Sequence, residues 1–250
     1  MIGVTLATKF RRVDLRSESG FTMAEMLVAA VSGIIVSTAT LAIVISSVHL
    51  SNNFGDRVDA TQQGRTAMLK ITQALGSSCV LASLPPVLPN TVDSANTITA
   101  NSDATHLWFY SSLNDDATIT PNLVDVSLTG GSLVMTTYPY ASTTGSAPNW
   151  VFSNTPTAFT LLAHAAAETV SGTALPVFAY YGYNGSGTLS STAFSVPLSA
   201  ANAAATAMVT ISFQAIPSDN QTSQGRPSSF SNSVVLRLTP ASSASTTPCV

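Results

Sequence analysis

A chain of 250 residues has room for one compact domain with an appended segment, or for two small domains. Hydrophobic residues make up 45%, enough for a core and too many for a disordered chain, yet only 8% are charged where ordinary soluble domains carry about 25%. The net charge is −3 and Arg226 and Arg237 are the only basic side chains after Lys70, which excludes the clustered Lys/Arg that nucleic-acid backbones demand. Ser, Thr, Asn and Gln must wet the surface instead, and they fill the region after Leu81, a composition common in secreted and cell-surface proteins.

The first 20 residues carry Lys9, Arg11, Arg12 and Arg16 against Asp14 and Glu18, while the other 230 carry twice as many acidic as basic side chains. A basic leader before an apolar run holds an N-terminus in the cytoplasm and sends the rest of the chain to the other side. That run extends over residues 21–50 and has no charge from Met26 to Ile45, where the polar residues are Ser and Thr. About 20 such residues, rising about 1.5 Å each, cross a bilayer core of about 30 Å. A secretory signal peptide fits poorly, because its apolar region is shorter, about 7–15 residues, and ends at a small-residue cleavage site. A plain single-pass anchor satisfies the hydropathy equally well.

Glu25 separates an anchor from something more. A carboxylate just inside an apolar span is costly and is read by default as functional, with a partner to be named. Cleavage after Gly20 would create an ammonium group on Phe21, about one helical turn before Glu25. In a bundle of staggered identical helices, the Glu of an incoming subunit can pair with its neighbour's amine, and a paired buried charge costs much less than a lone one.

Gly20-Phe21-Thr22-Met23-Ala24-Glu25-Met26-Leu27, with a basic leader before it and an apolar run after it, resembles the N-terminal motif of type IV prepilins and type II secretion pseudopilins. The resemblance implies cleavage after Gly20 by a prepilin peptidase, methylation of Phe21, and Glu25 as the assembly carboxylate. It also implies a bacterial cytoplasmic-membrane precursor with its N-terminus inside and head outside, later part of a surface or periplasmic filament. The implied partners are other pilins or pseudopilins, a membrane assembly platform and, before assembly, the lipid bilayer. Many pilins have a Pro midway along the apolar helix, and this chain has none; Gly33 stands there as a loosening point or as an ordinary small packing residue.

Beyond the span, Leu50, Phe54, Val58, Met68, Ile71, Thr72 and Leu75 recur mostly every three or four residues, while Asp56, Arg57, Asp59, Gln63 and Lys70 can lie away from them. This pattern predicts one helix from Thr22 to Ala74, with a soft point at Asn52-Asn53-Phe54-Gly55 and a stop at Gly76-Ser77-Ser78. Pro85-Pro86 and Pro89-Asn90 then form a connector. Strand-like runs come next at 107–111, 123–128, 133–138, 159–162, 177–183, 193–196 and 207–216, and again at Val234, Leu236 and Leu238. Val209, Ile211, Phe213 and Ala215 alternate with Thr210, Ser212 and Gln214, the period of a half-buried strand. Asn184-Gly185-Ser186-Gly187 reads as a hairpin turn.

The expected fold is α+β and pilin-like, with a long N-terminal helix packed on a mostly antiparallel sheet. Its parts are a leader at 1–20, a transmembrane and assembly helix at 21–50, an exposed amphipathic half at 51–78 and a β-rich head at 79–250. Gln63-Gly64-Arg65-Thr66-Ala67-Met68-Leu69, Val177-Phe178-Ala179-Tyr180-Tyr181 with Asn184-Gly185, the strand from Val209, and Ser233-Val234-Val235-Leu236-Arg237 resemble W-type minor pilins and J-type pseudopilins. That likeness implies a low-copy subunit at or near a filament tip.

Cys79 and Cys249 in an exported domain suggest a disulfide. It would close a loop of about 170 residues, worth on the order of 5 kcal/mol in the chain-entropy model. Two unpaired thiols or an intermolecular link are the alternatives. A surface-anchored hydrolase finds no support: His49, His106 and His164 fall in no G-x-S-x-G, H-E-x-x-H, C-x-x-C or P-loop context. Asp115-Asp116 and Asp125 match no EF-hand spacing, and a turn rich in Asp is the simpler reading. No enzyme activity, cofactor or metal is expected. A tip adhesin or a single-pass surface-anchored binding protein is the other reading, with Trp108, Tyr110, Tyr138, Tyr140 and Trp150 as a binding face against their use as core.

Overall fold

A computed structural model describes residues 20–78, 85–89, 91–93, 98–111, 121–141, 150–218 and 227–236. The chain divides into two compact units between Ser51 and Asn52. Leader residues 1–19, Asp115, Asp116, Arg226, Arg237 and both cysteines of the expected Cys79–Cys249 bridge lie outside the described residues.

Helix α1 runs over Met23–Gly76. It passes unbroken through Gly33 and through Asn52-Asn53-Phe54-Gly55, so the expected soft point does not interrupt it. A Gly costs about 1 kcal/mol in a helix, little against the summed hydrogen bonds of one 54 residues long. Within the apolar half the Thr hydroxyls bond back to the helix: Thr38 Oγ1 donates to the Ile34 carbonyl at 3.0 Å, and Thr40 Oγ1 to that of Val36 at 2.7 Å. None of the apolar window of this half is buried, and by length and composition it can cross a membrane.

In the second unit α1 buries Ala60, Gly64, Ala67, Met68, Ile71, Ala74 and Leu75. Met68, Ile71 and Leu75 of the apolar face expected from the sequence are thus buried, while Leu50, Phe54, at 70% exposed, and Val58 stay outside and correct its first half. Small residues occupy the contact because the head approaches the helix backbone closely. A Cβ on Gly64 would lie 2.4 Å from Phe230 Cε2, so a side chain there would strike the ring.

Two antiparallel sheets complete the main core. In the first, β3 (His106–Ser111), β4 (Asn122–Thr129), β5 (Ser132–Tyr138) and β6 (Thr157–Leu162) lie in chain order. Gly130 and Gly131, with φ of 59° and 76°, form the two-residue turn between β4 and β5, a conformation that side chains resist. The second sheet has the order β10 (Phe178–Gly182), β11 (Thr206–Ala215), β12 (Ser228–Val235), and β7 (Ala165–Ala166) pairs with the end of β11. Short ribbons pair β1 (Thr91–Asp93) with β2 (Ile98–Ala100) and β8 (Thr169–Val170) with β9 (Thr173–Ala174). Helix α2 (Ala200–Ala204), capped by Ser199, precedes β11.

Leu107, Phe109, Val124, Val126 and Leu133 of the first sheet join Phe178, Tyr180, Val209, Ile211 and Phe213 of the second around Ile71 and Leu75. The architecture is therefore α+β, with an apolar helical segment and antiparallel sheets. The alternation read in β11 holds, as Val209, Ile211, Phe213 and Ala215 are fully buried. Two strand expectations need correction. Residues 193–196 form no strand, because Phe194 N bonds the Tyr180 carbonyl singly, without a ladder. The last strand covers Ser228–Val235, pairing with β11 over eight residues, so Val234 lies in it, Leu236 follows it and Leu238 lies outside the described residues.

Candidate functional site

The start of α1 is built from three residues before the helix and its first turn. Gly20, Phe21 and Thr22 precede the helix in irregular structure and are exposed, and a Cβ on Gly20 would meet nothing within 4 Å. Among the described residues, nothing packs against Gly20. Thr22 is the N-cap: its carbonyl accepts from Met26 N at 3.2 Å. Glu25 Oε2 accepts from Thr22 N at 3.0 Å and from Thr22 Oγ1 at 3.1 Å, while Glu25 N donates to Thr22 Oγ1 at 3.3 Å. This is a reciprocal capping box, in which the side chains at both ends satisfy backbone donors that the helix leaves open.

The capping box gives Glu25 a structural role of its own. The carboxylate sits at the positive end of the helix dipole. Glu25 also has two hydrogen-bond partners within its own chain. The signal for this arrangement, Thr-x-x-Glu before an apolar run, stands in the sequence at Thr22 and Glu25.

The head has a cluster of aromatic side chains on the outer face of the first sheet. Trp108, Leu123, Trp150 and Phe152 form a small core there with Leu88, Ile98 and Ala100, and Tyr110, Tyr138 and Tyr140 pack against it. Trp108 stacks on Tyr138 with centroids 5.8 Å apart, and Tyr110 meets Trp150 edge-on at 5.4 Å. The aromatic residues considered as a binding face are thus largely packed on one another.

The register between β3 and β4 places Asp125 opposite Trp108 and diagonal to His106. His106 Nδ1 stands 3.3 Å from Asp125 Oδ1 and 3.4 Å from Oδ2. Burial raises the Asp125 carboxyl to about 6 despite the opposing effect of His106 and a hydrogen bond from Ser127. His106 is also pinned at the start of β3: Asp103 Oδ1 accepts from His106 N at 2.8 Å, and Tyr180 Oη donates to the His106 carbonyl at 2.8 Å. His49 and His164 are exposed and distant in sequence from this pair. Among the described residues, no three His, Cys, Asp or Glu side chains group as metal ligands would.

A scan of protein families, a search of curated proteins and a search of solved structures each find no match for this chain.

Proposed function

We propose that the chain is a subunit, and a minor one, of a type IV pilus or a type II secretion-like pseudopilus. It is made as a prepilin, cut after Gly20 by prepilin peptidase, methylated on Phe21 and packed into a filament through the apolar half of α1. The observation that carries this reading is the position of Glu25. It is the lone acidic residue of the exposed apolar half of α1, held one turn from the Gly20–Phe21 bond. In a bundle of such helices the apolar faces cover each other, and the carboxylate of one subunit meets the new amine of the next. The head then faces the exterior, where its hydroxyl-rich surface is suited to water.

Co-expression with a prepilin peptidase tests the processing step. The expected product begins at Phe21, and intact mass shows the loss of residues 1–20 together with one added methyl group. An uncut chain, or one cut elsewhere, contradicts the reading. Glu25→Gln tests assembly more sharply than Glu25→Ala, because Gln can still close the capping box and removes only the charge. The variant is expected to insert in the membrane with normal helicity and to enter filaments at least about tenfold less, the loss of roughly 1.4 kcal/mol or more of pairing. Normal assembly of Glu25→Gln would reduce Glu25 to a helix cap.

A further inference from the structure

Asn184-Gly185-Ser186 fits the N-x-S/T pattern of asparagine glycosylation, with a residue other than Pro in the middle. It occupies the tip of a tight hairpin closed by the antiparallel bridge between Tyr183 and Leu189. Asn184 N donates to the Thr188 carbonyl at 2.8 Å, and Gly187 N to the Asn184 carbonyl at 2.9 Å. Every residue of this tip, Asn184 through Thr188, is exposed. A Cβ on Gly185 or Gly187 would meet nothing within 4 Å, so the turn is open to an enzyme on that side.

The Asn184 side chain is oriented by three donors. Its Oδ1 accepts from Ser186 Oγ at 2.7 Å, from Thr188 N at 3.0 Å and from Ser186 N at 3.1 Å. Together they fix the carbonyl towards the turn, and among the described residues Nδ2 of this exposed side chain has no hydrogen-bond partner. An amide nitrogen is a poor nucleophile because its lone pair is delocalised into the carbonyl. Hydrogen bonds to Oδ1 make the N–H more acidic, and the Ser186 hydroxyl supplies one of them across the two-residue spacing that the pattern requires. Below the turn, Tyr183 is 54% exposed and pairs with the exposed Leu189, an apolar surface that the first sugars of a glycan would cover.

We propose that Asn184 is an N-linked glycan acceptor in the exported head, which rests on the proposed placement of the head outside the membrane. The donor is an oligosaccharide linked to a lipid diphosphate. A bond forms between Asn184 Nδ2 and the anomeric carbon, the bond from that carbon to the diphosphate oxygen breaks with its electron pair leaving on the lipid diphosphate, and the proton released by Nδ2 passes to a carboxylate of the transferase. A second match to the pattern, Asn220-Gln221-Thr222, lies outside the described residues and serves as an internal comparison.

The test uses the folded full-length chain in detergent with a lipid-diphosphate-linked oligosaccharide and a single-subunit oligosaccharyltransferase that requires only N-x-S/T. Glycopeptide mapping is expected to place one glycan on Asn184. The modification should disappear in Asn184→Gln, fall at least about tenfold in Ser186→Ala, and persist in Ser186→Thr, as expected when a hydroxyl interaction of roughly 1.4 kcal/mol or more is removed or kept. An unmodified Asn184 in the folded chain overturns the proposal, as does a glycan on Asn220 alone or an unchanged rate in Ser186→Ala. Co-expression with a transferase whose active site faces away from the cytoplasm separates the two readings. Modification in detergent but not in cells keeps Asn184 as an acceptor and counts against an exported head.

Discussion

Asp125 is the residue with the most to report about the head. Its carboxyl is held near 6 in the folded chain against an ordinary 3.8, because burial on the outer face of the sheet outweighs His106, which opposes it. A raised carboxyl means that the folded state binds a proton more tightly than the unfolded state. Stability from this group is then fully present below about 3.8 and is lost as pH rises through about 6. At neutral pH the ionised, buried carboxylate costs up to about 3 kcal/mol. His106 and Ser127 face it and soften that cost, while Asp103 adds to it. Asp125→Asn should therefore gain stability over the native chain as pH rises from 4 to 7.5. Tryptophan fluorescence during urea unfolding reads this directly, since Trp108 and Trp150 both sit in the adjoining small core. A difference between the two proteins that does not change with pH would show that burial does not control Asp125. Neither His106 nor Asp125 announces the other in the sequence, because only the β3–β4 register brings residues 19 positions apart within 3.3 Å.

At the scale of elements, the join between α1 and β12 is made by absence of a side chain. Phe230 enters the space above Gly64 and stacks on Phe213, with ring centroids 5.5 Å apart. Thr61 Oγ1 and Ser228 Oγ lie 3.1 Å apart along the same contact. Gly64→Val should destabilise the head by about 1–3 kcal/mol, the usual cost of overpacking, although Val removes a helix-weakening Gly. Adding Phe230→Ala should offset part of the clash, so the double-mutant cycle is expected to show coupling of roughly 0.5 kcal/mol or more. Additive effects would mean that the ring does not carry the contact. Further along the helix, Lys70 Nζ lies 3.9 Å above the Phe159 ring, giving that exposed aromatic of β6 a cationic cover. The pattern rule for amphipathic helices looks for large apolar residues and so points to Phe54 and Val58. A close-packed interface selects Ala60, Gly64 and Ala67, which the rule passes over.

At the scale of the molecule, the main core depends on the second half of α1. Ile71 and Leu75 are fully buried between two sheets whose inner faces have no other helix of comparable length among the described elements. A chain beginning at Asn52 should fold and unfold cooperatively in water without detergent, because the exposed apolar window has been removed and the core left whole. A chain beginning after Gly76 should fail to fold, since it loses Met68, Ile71 and Leu75 together, at about 2–5 kcal/mol for each large core side chain. Circular dichroism and urea titration of the two fragments distinguish these outcomes. A folded, cooperative product from the second fragment would show that the sheets hold themselves.

The sequence alone determined the features that depend on local order. The apolar run, the position of Glu25 behind Gly20-Phe21, the alternation in β11 and the turn at Asn184-Gly185 are each readable within a few residues, because helix and strand periods and turn chemistry act over that range. The Thr22–Glu25 capping box belongs with them. Tertiary structure decided what depends on distant parts of the chain meeting. It selected the small residues of α1 as the packing face, turned the Ser-rich stretch from Ser228 into a strand by pairing it with β11, gathered the aromatics into a second core and placed a buried carboxylate against His106. Each of these is set by close packing and strand register, and those are properties of a contact between two surfaces, written in neither segment by itself.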